Sequence, residues 1–392
     1  MYRKLFLGLV LLVANATSAS FAQEKHVNVN VGFMYPVSSN GRDAKVYTNK
    51  VSLNVLSGVS YSEQAFSFSG LLNKVTTNVE GVHLSGITNL VGENAEGFLF
   101  SGILNKYNSG KGGQMAGLAN LAKNGVTGVQ FSGLINQSKQ LNGLQVAGIY
   151  NNAGSSIKGQ QFSGIANVAD DVTGVQCAGI VNLAKDTLNG LQFAGIGNKA
   201  SVVKGSQFAG IFNKAKKVNG VQFAGIVNIA DSSDYPIAIL NFIKNGEKSI
   251  GFSIDEQGNT LATFRSGGKI MYGILGLGYN VKNEKEIYAF QAGIGAHLLS
   301  RDKFGLDLEG TNVVLESFRK GEFFKNSLTL IPTYRIDKRL ELFVGGSVNY
   351  LSTNTDEGSN LTKKFIHSWT GKSGDNFQGI FFGGSVGLKL RL

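Results

Sequence analysis

Hydrophobic and polar positions alternate along most of this 392-residue chain. Between Gly128 and Asn228 the alternation is written as one unit seven times, roughly Gly-x-Gln-Phe-(Ala/Ser)-Gly-(Ile/Leu)-x-Asn. Its Asn recurs from Asn73 through Asn89, Asn105, Asn120 and Asn136 to Asn228, in steps of 15 or 16. A fixed period over this length predicts a repeat architecture. In the copy that starts at Gly220, Gln222, Ala224, Ile226, Asn228 and Ala230 share one face of a predicted strand, and Val221, Phe223, Gly225 and Val227 the other. Helix is disfavoured, because each Gly inside the unit costs about 1 kcal/mol relative to Ala. Turn chemistry sits between units, as at Asn142-Gly143, Asn189-Gly190 and Asn219-Gly220.

Two arrangements fit this pattern. In a β-solenoid, equivalent residues stack about 4.8 Å apart, Gln and Asn form ladders, and Ala, Ile and a later Val fill a narrow interior. An apolar residue closes nearly every connection (Val126, Leu141, Ile157, Val172, Leu188, Val203, Val218), as a second core-facing strand would require. In an up-and-down barrel, each unit is one strand and neighbours run in opposite directions. A two-unit alternation favours that reading: Phe68, Phe100, Phe131 and Phe162 alternate with Leu84, Met115, Val146 and Cys177. A solenoid accommodates the alternation if one full coil holds two units. The expectation is an all-β chain: a β-solenoid of ~15–16-residue repeats followed by an antiparallel β-barrel or β-sheet region. The alternative is one large up-and-down outer-membrane β-barrel.

The repeat resembles a bacterial surface-repeat family of Gram-negative envelope proteins. The resemblance covers residues 30–245, including Tyr35-Pro36…Asn40-Gly41 and the exit Tyr235-Pro236-Ile237-Ala238-Ile239-Leu240-Asn241. It implies a surface or outer-membrane setting and no particular activity.

The remaining segments divide around the repeat. Residues 1–22 read as a secretory signal, with Arg3 and Lys4 before the apolar run Leu5–Ala14 and Ser20-Phe21-Ala22 as the cleavage site. Residues 23–65 are N-terminal strands forming a cap, 66–230 the repeat domain and 231–247 an exit segment. Residues 248–392 hold eight longer alternating segments, several near the ~9–11 residues that a tilted strand needs to cross a membrane. The last, ending Gly387-Leu388-Lys389-Leu390-Arg391-Leu392, is similar to the closing strand of an outer-membrane barrel, although such strands usually end in an aromatic. Ser352–Asp375 is the longest polar loop.

Charge and chemistry add little. The net charge of +11 falls to +9 without Arg3 and Lys4. The lysines are scattered, with no basic patch for nucleic acid. Lys199, Lys204, Lys214, Lys216 and Lys217 form the densest group, a candidate basic stripe towards polysaccharide or lipid headgroups if coils stack. One Cys excludes an intramolecular disulfide, and Cys177 is expected to be buried. His26, His83, His297 and His367 have no second ligand at metal spacing. His83 replaces the repeat Gln and is expected to hydrogen-bond as an amide would. Asp171 with Asp186, and Asp307 with Glu309, are the only pairs weighed for glycosidase chemistry, and neither has a sugar-site context. No catalytic residue, cofactor or metal is expected. The candidate interaction face is apolar: Phe193, Phe208, Phe212, Phe223, Val221 and Val227. The function expected is a non-enzymatic interaction scaffold at the outer membrane or cell surface, with the periplasm as the alternative location. Its partners would be a membrane or surface component, a protein or a surface polysaccharide. A pore and a carbohydrate-active enzyme are the alternatives.

Overall fold

The computed structural model describes residues 24–283, 287–318, 322–371 and 376–392. The export signal expected at 1–22 lies outside them. The described chain is nearly all strand, and none of its helices is long and apolar enough to cross a membrane. It divides into two compact units, Met1–Gln145 and Val146–Leu392.

The first unit is a parallel β-solenoid. Strand Lys25–Met34 pairs in parallel with Tyr47–Ser60, and later coils add in the same sense. Each repeat unit is one full coil, so the two-unit coil and the antiparallel barrel of repeats are both overturned. Asn89, Asn105, Asn120 and Asn136 are direct neighbours on successive coils. Each Asn Nδ2 donates to the next Asn Oδ1 at 2.9 Å. The alternation that suggested a barrel runs down a single column. Phe68, Leu84, Phe100, Met115 and Phe131 stack one above another.

The second unit begins with coils built the same way. Its Asn ladder runs Asn151, Asn167, Asn182, Asn198, Asn213, Asn228, Asn241, with amide contacts of 2.9–3.0 Å. A parallel ladder of Gln161, Gln176, Gln192, Gln207 and Gln222 runs with the opposite donor sense at 2.7–3.1 Å. These amides are fully buried and pair coil to coil, so their desolvation is offset along the whole stack. Val172, Leu188, Val203 and Val218 fill the interior, as the sequence pattern requires. The Ile of the unit does not. Ile180, Ile196, Ile211 and Ile226 are exposed, because the chain bends at Gly-Ile and the strict alternation breaks there. That bend explains the Gly. A Cβ on Gly195 would sit 2.2 Å from the carbonyl oxygen of Gly179 one coil back, so only Gly allows the coils to close at strand spacing.

Residues 248–391 form an antiparallel barrel of eight strands: β1 (Lys248–Asp255), β2 (Asn259–Gly267), β3 (Met271–Asn280), β4 (Tyr288–Ser300), β5 (Phe304–Glu316), β6 (Phe323–Arg335), β7 (Leu340–Thr353) and β8 (Phe377–Arg391). Pairing of β1 with β8 closes it. All eight segments expected from the sequence are strands. The last solenoid coil docks on β2 and β3. Asn241 donates its N–H to Ser266 Oγ and its Nδ2 to Ser266 O. The ladder therefore ends on barrel backbone, and the open edge of the solenoid is covered.

Candidate functional site

The barrel is polar inside and apolar outside. Within it, Arg265 donates through Nε and Nη2 to the two carboxylate oxygens of Glu309, at 2.8 and 3.1 Å, and Tyr272 OH adds a third bond. Lys389 Nζ donates to Asp307 Oδ2 at 2.7 Å, and His297 Nδ1 lies 2.7 Å from Asp307 Oδ1. Lys325 contacts both Asp255 and Glu256. Near the solenoid end, Arg335 and Arg391 share Glu341. Paired and hydrogen-bonded charges of this kind are the form in which buried charge is tolerated. At the far end, Leu315, Phe323, Leu351 and Phe381 form an apolar cluster. Phe365, from the connection between β7 and β8, packs edge-on against Phe381 with ring centroids 5.7 Å apart. A cavity beside Arg265, Glu309 and Lys325 holds only about 50 Å³. Charged side chains fill the lumen, and an aromatic plug closes one mouth.

The outer wall is the reverse. Phe252, Ile254, Leu277, Leu328, Leu342, Val344, Val348, Phe382 and Val386 point outward and are exposed. Among the described residues, no charged side chain faces outward within the strands between two rings of aromatics. Phe304 and Tyr334 mark the ring nearer the solenoid, with centroids 5.2 Å apart. Tyr279, Tyr288 and Phe324 mark the other, and Tyr279 and Tyr288 are cross-strand partners. Tyr334 and Phe324 lie on the same strand ten residues apart. At a rise of about 3.3 Å per residue and a tilt near 40°, the rings are roughly 25 Å apart along the barrel axis. Sequence reasoning found the segments but not this polarity, because alternation alone does not say which face is inside. The signal available was that Asp307 and Glu309 occupy one parity of β5, while the opposite parity carries no charge before Glu316 at the strand's end.

The solenoid carries the second candidate surface. Phe162, Cys177, Phe193, Phe208 and Phe223 stack in register on its outer face. Phe193 and Phe208 are parallel, with centroids 5.0 Å apart. With the Ala and Gly residues beside them they line an open apolar groove of about 810 Å³. Cys177 is a half-exposed member of this column, not the buried residue expected, and partial burial raises its thiol pKa. Val221 lies on the same strand face as Phe223. Phe212 and Val227 lie beyond the Gly-Ile bend on the second strand of their coils, in register with each other and outside the groove.

The lysine group separates into three places. Lys199 and Lys214 stack on the second strand. Lys216 and Lys217 sit where one coil passes to the next, and Lys204 precedes the Gly205 bend. No single stripe joins all five. His83 is buried with Nδ1 2.7 Å from Ser67 Oγ and Nε2 2.8 Å from Glu80 O, filling the amide role of the Gln it replaces. Burial lowers its pKa to about 4. Asp171 accepts from the Thr187 backbone N–H, and Asp186 is exposed. Asp307 and Glu309 are held by the barrel cations. Among the described residues, no group of three His, Cys, Asp or Glu side chains is arranged to hold a metal ion. Sequence reasoning missed Glu63, which is buried in the N-terminal coils. Its Oε1 accepts from Asn49 and Ser52, its Oε2 has no partner, and burial raises its pKa to about 7.

Comparison with protein-family models, curated proteins and solved structures yields no match.

Proposed function

We propose that this chain is an exported, non-enzymatic scaffold held in the outer membrane by its C-terminal barrel, with the β-solenoid as its interaction domain. One observation carries the reading: an uncharged apolar belt, roughly 25 Å tall between two aromatic rings, surrounds a charge-filled interior. A barrel in water would expose its charges and bury its Leu, Val and Phe, since apolar burial contributes about 25 cal/mol per Å². The filled lumen and the Phe365 plug argue against conduction. The Phe193–Phe208–Phe223 column is the natural contact face of the solenoid, because an apolar patch of this size on a protein surface usually marks an interface.

Substitution on the belt tests the membrane reading. Val344 is exposed near the middle of β7. Facing lipid, Val344→Arg would cost about 2–4 kcal/mol. Facing water, it would change stability by less than about 0.5 kcal/mol. Folded fraction is read by the heat-dependent gel mobility of membrane-extracted protein. A variant that folds as well as the parent would refute the membrane reading.

A further inference from the structure

The two ends of the barrel differ. At one end lie the short turns 268–270, 301–303 and 336–339, the start of β1 and the end of β8. At the other lie the longer connections 281–287, 317–322 and 354–376, alongside one short turn, 256–258. The solenoid coils of the same unit join the short-turn end. Asn241 bonds to Ser266, Ile270 N–H donates to Asp234 O at 3.3 Å, and Glu247 N–H donates to Gly268 O at 3.3 Å. The contact is close: a Cβ on Gly268 would lie 2.2 Å from Ser233 O.

Outer-membrane barrels keep short turns on the periplasmic side and longer loops outside. Resting on the membrane reading above, we infer that the solenoid coils joined to the barrel lie in the periplasm. A second observation supports this placement. An external solenoid would have to pass the membrane as a polar β-domain, yet Arg265–Glu309 and Lys389–Asp307 fill the lumen and Phe365 closes the mouth. The loops at the other end need only thread individually. The connection 354–376, which packs Phe365 into that mouth, is then the principal surface the protein shows to the outside.

The native sequence has one Cys, half-exposed on the solenoid groove, which makes thiol labelling clean. A membrane-impermeant maleimide is applied to intact Gram-negative cells expressing the full chain. The chains compared are the native protein and, in a Cys177→Ser background, Lys204→Cys on the solenoid and Lys364→Cys on the long connection. Heat-dependent gel mobility verifies that each variant folds. The expected result is labelling of the Lys364→Cys chain in intact cells. The Lys204→Cys and native chains should label only after the outer membrane is permeabilised, with at least a tenfold rise. The reverse pattern would overturn the periplasmic placement while leaving the membrane reading intact. Equal labelling at both positions would also overturn it. In that case carbonate washing separates the two failures: a chain that stays with the membrane leaves the anchor reading standing, and a chain that is released removes it.

Discussion

Asn198 is the sharpest place to test how the solenoid is held together. Its side chain is fully buried. Nδ2 donates to Phe208 O at 2.7 Å and to Asn213 Oδ1 at 3.0 Å, and Oδ1 accepts from Asn182 Nδ2 at 3.0 Å. Asn198→Leu keeps the approximate volume but takes the donor away from Phe208 O and Asn213 Oδ1 with no space for water, while Asn182 Nδ2 keeps its bond to Phe193 O. At about 1–3 kcal/mol per stranded buried group, the loss for the two acceptors comes to roughly 2–6 kcal/mol. Asn198→Ala removes the same bonds but vacates room for one water. Three polar partners line that space, which is enough to hold it. The smaller side chain should therefore be the milder substitution, by about 1–2 kcal/mol per bond the water restores. That order is opposite to the one expected of an apolar core. Hydrogen exchange of the amides in coils 182–213 reads the local opening free energy. A loss of 3 kcal/mol corresponds to about a hundredfold fall in protection. Asn219→Ala, at an exposed position, should stay within about 0.5 kcal/mol. If Asn198→Leu exchanges within threefold of the parent, or if Ala proves more damaging than Leu, the ladder is not what stabilises the stack.

Other outcomes follow from the same packing. Gly195→Ala would place a methyl 2.2 Å from Gly179 O and force two coils apart, at a cost of about 1–3 kcal/mol in chemical unfolding; an unchanged midpoint would show that the bend relaxes freely. Burial raises the Glu63 carboxyl from its ordinary pKa of 4.5 to about 7 in the folded chain. The fold therefore holds the proton more tightly than the unfolded chain, and this contribution is complete below 4.5 and is lost as pH rises through 7, by about 3 kcal/mol in total. Glu63→Gln should abolish that slope and be the more stable protein at pH 8, as read from urea midpoints at pH 5 and pH 8; parallel pH profiles for the two chains would refute the assignment. Lys389→Met leaves Asp307 without its ammonium partner inside the barrel and should cost about 3–5 kcal/mol, with Lys389→Met/Asp307→Asn recovering part of the loss in refolding yield.

Much of the solenoid was written in the sequence. The Asn period of 15 or 16 and the apolar residue closing each connection come directly from in-register stacking, which repeats every chemical demand at the same interval. Because strand spacing admits no Cβ between facing carbonyls, the recurring Gly was legible as a pattern, although its cause became visible only in the stacked backbone. The number of units per coil was not legible. The Phe68–Leu84–Phe100–Met115 alternation fits two units on opposite sides as well as large and small residues sharing one column, and only the register separates them. Alternation likewise failed at Ile196 and Ile226, where a two-residue bend resets which side faces inward.

The barrel divides in the same way between sequence and structure. Its eight strands follow from period-two patterning, a local property that each segment carries alone. Which parity faces inward is a property of the closed sheet. Arg265 meets Glu309 across 44 residues and Lys389 meets Asp307 across 82, and neither pairing is encoded in any one strand. Closure brings those charges to one axis and leaves Leu, Val and Phe on the wall. By itself the sequence determined that this chain stacks and alternates. Tertiary structure decided what the barrel presents to its solvent and which of its ends carries the solenoid, because charge pairing and strand closure depend on contacts between residues far apart in the chain.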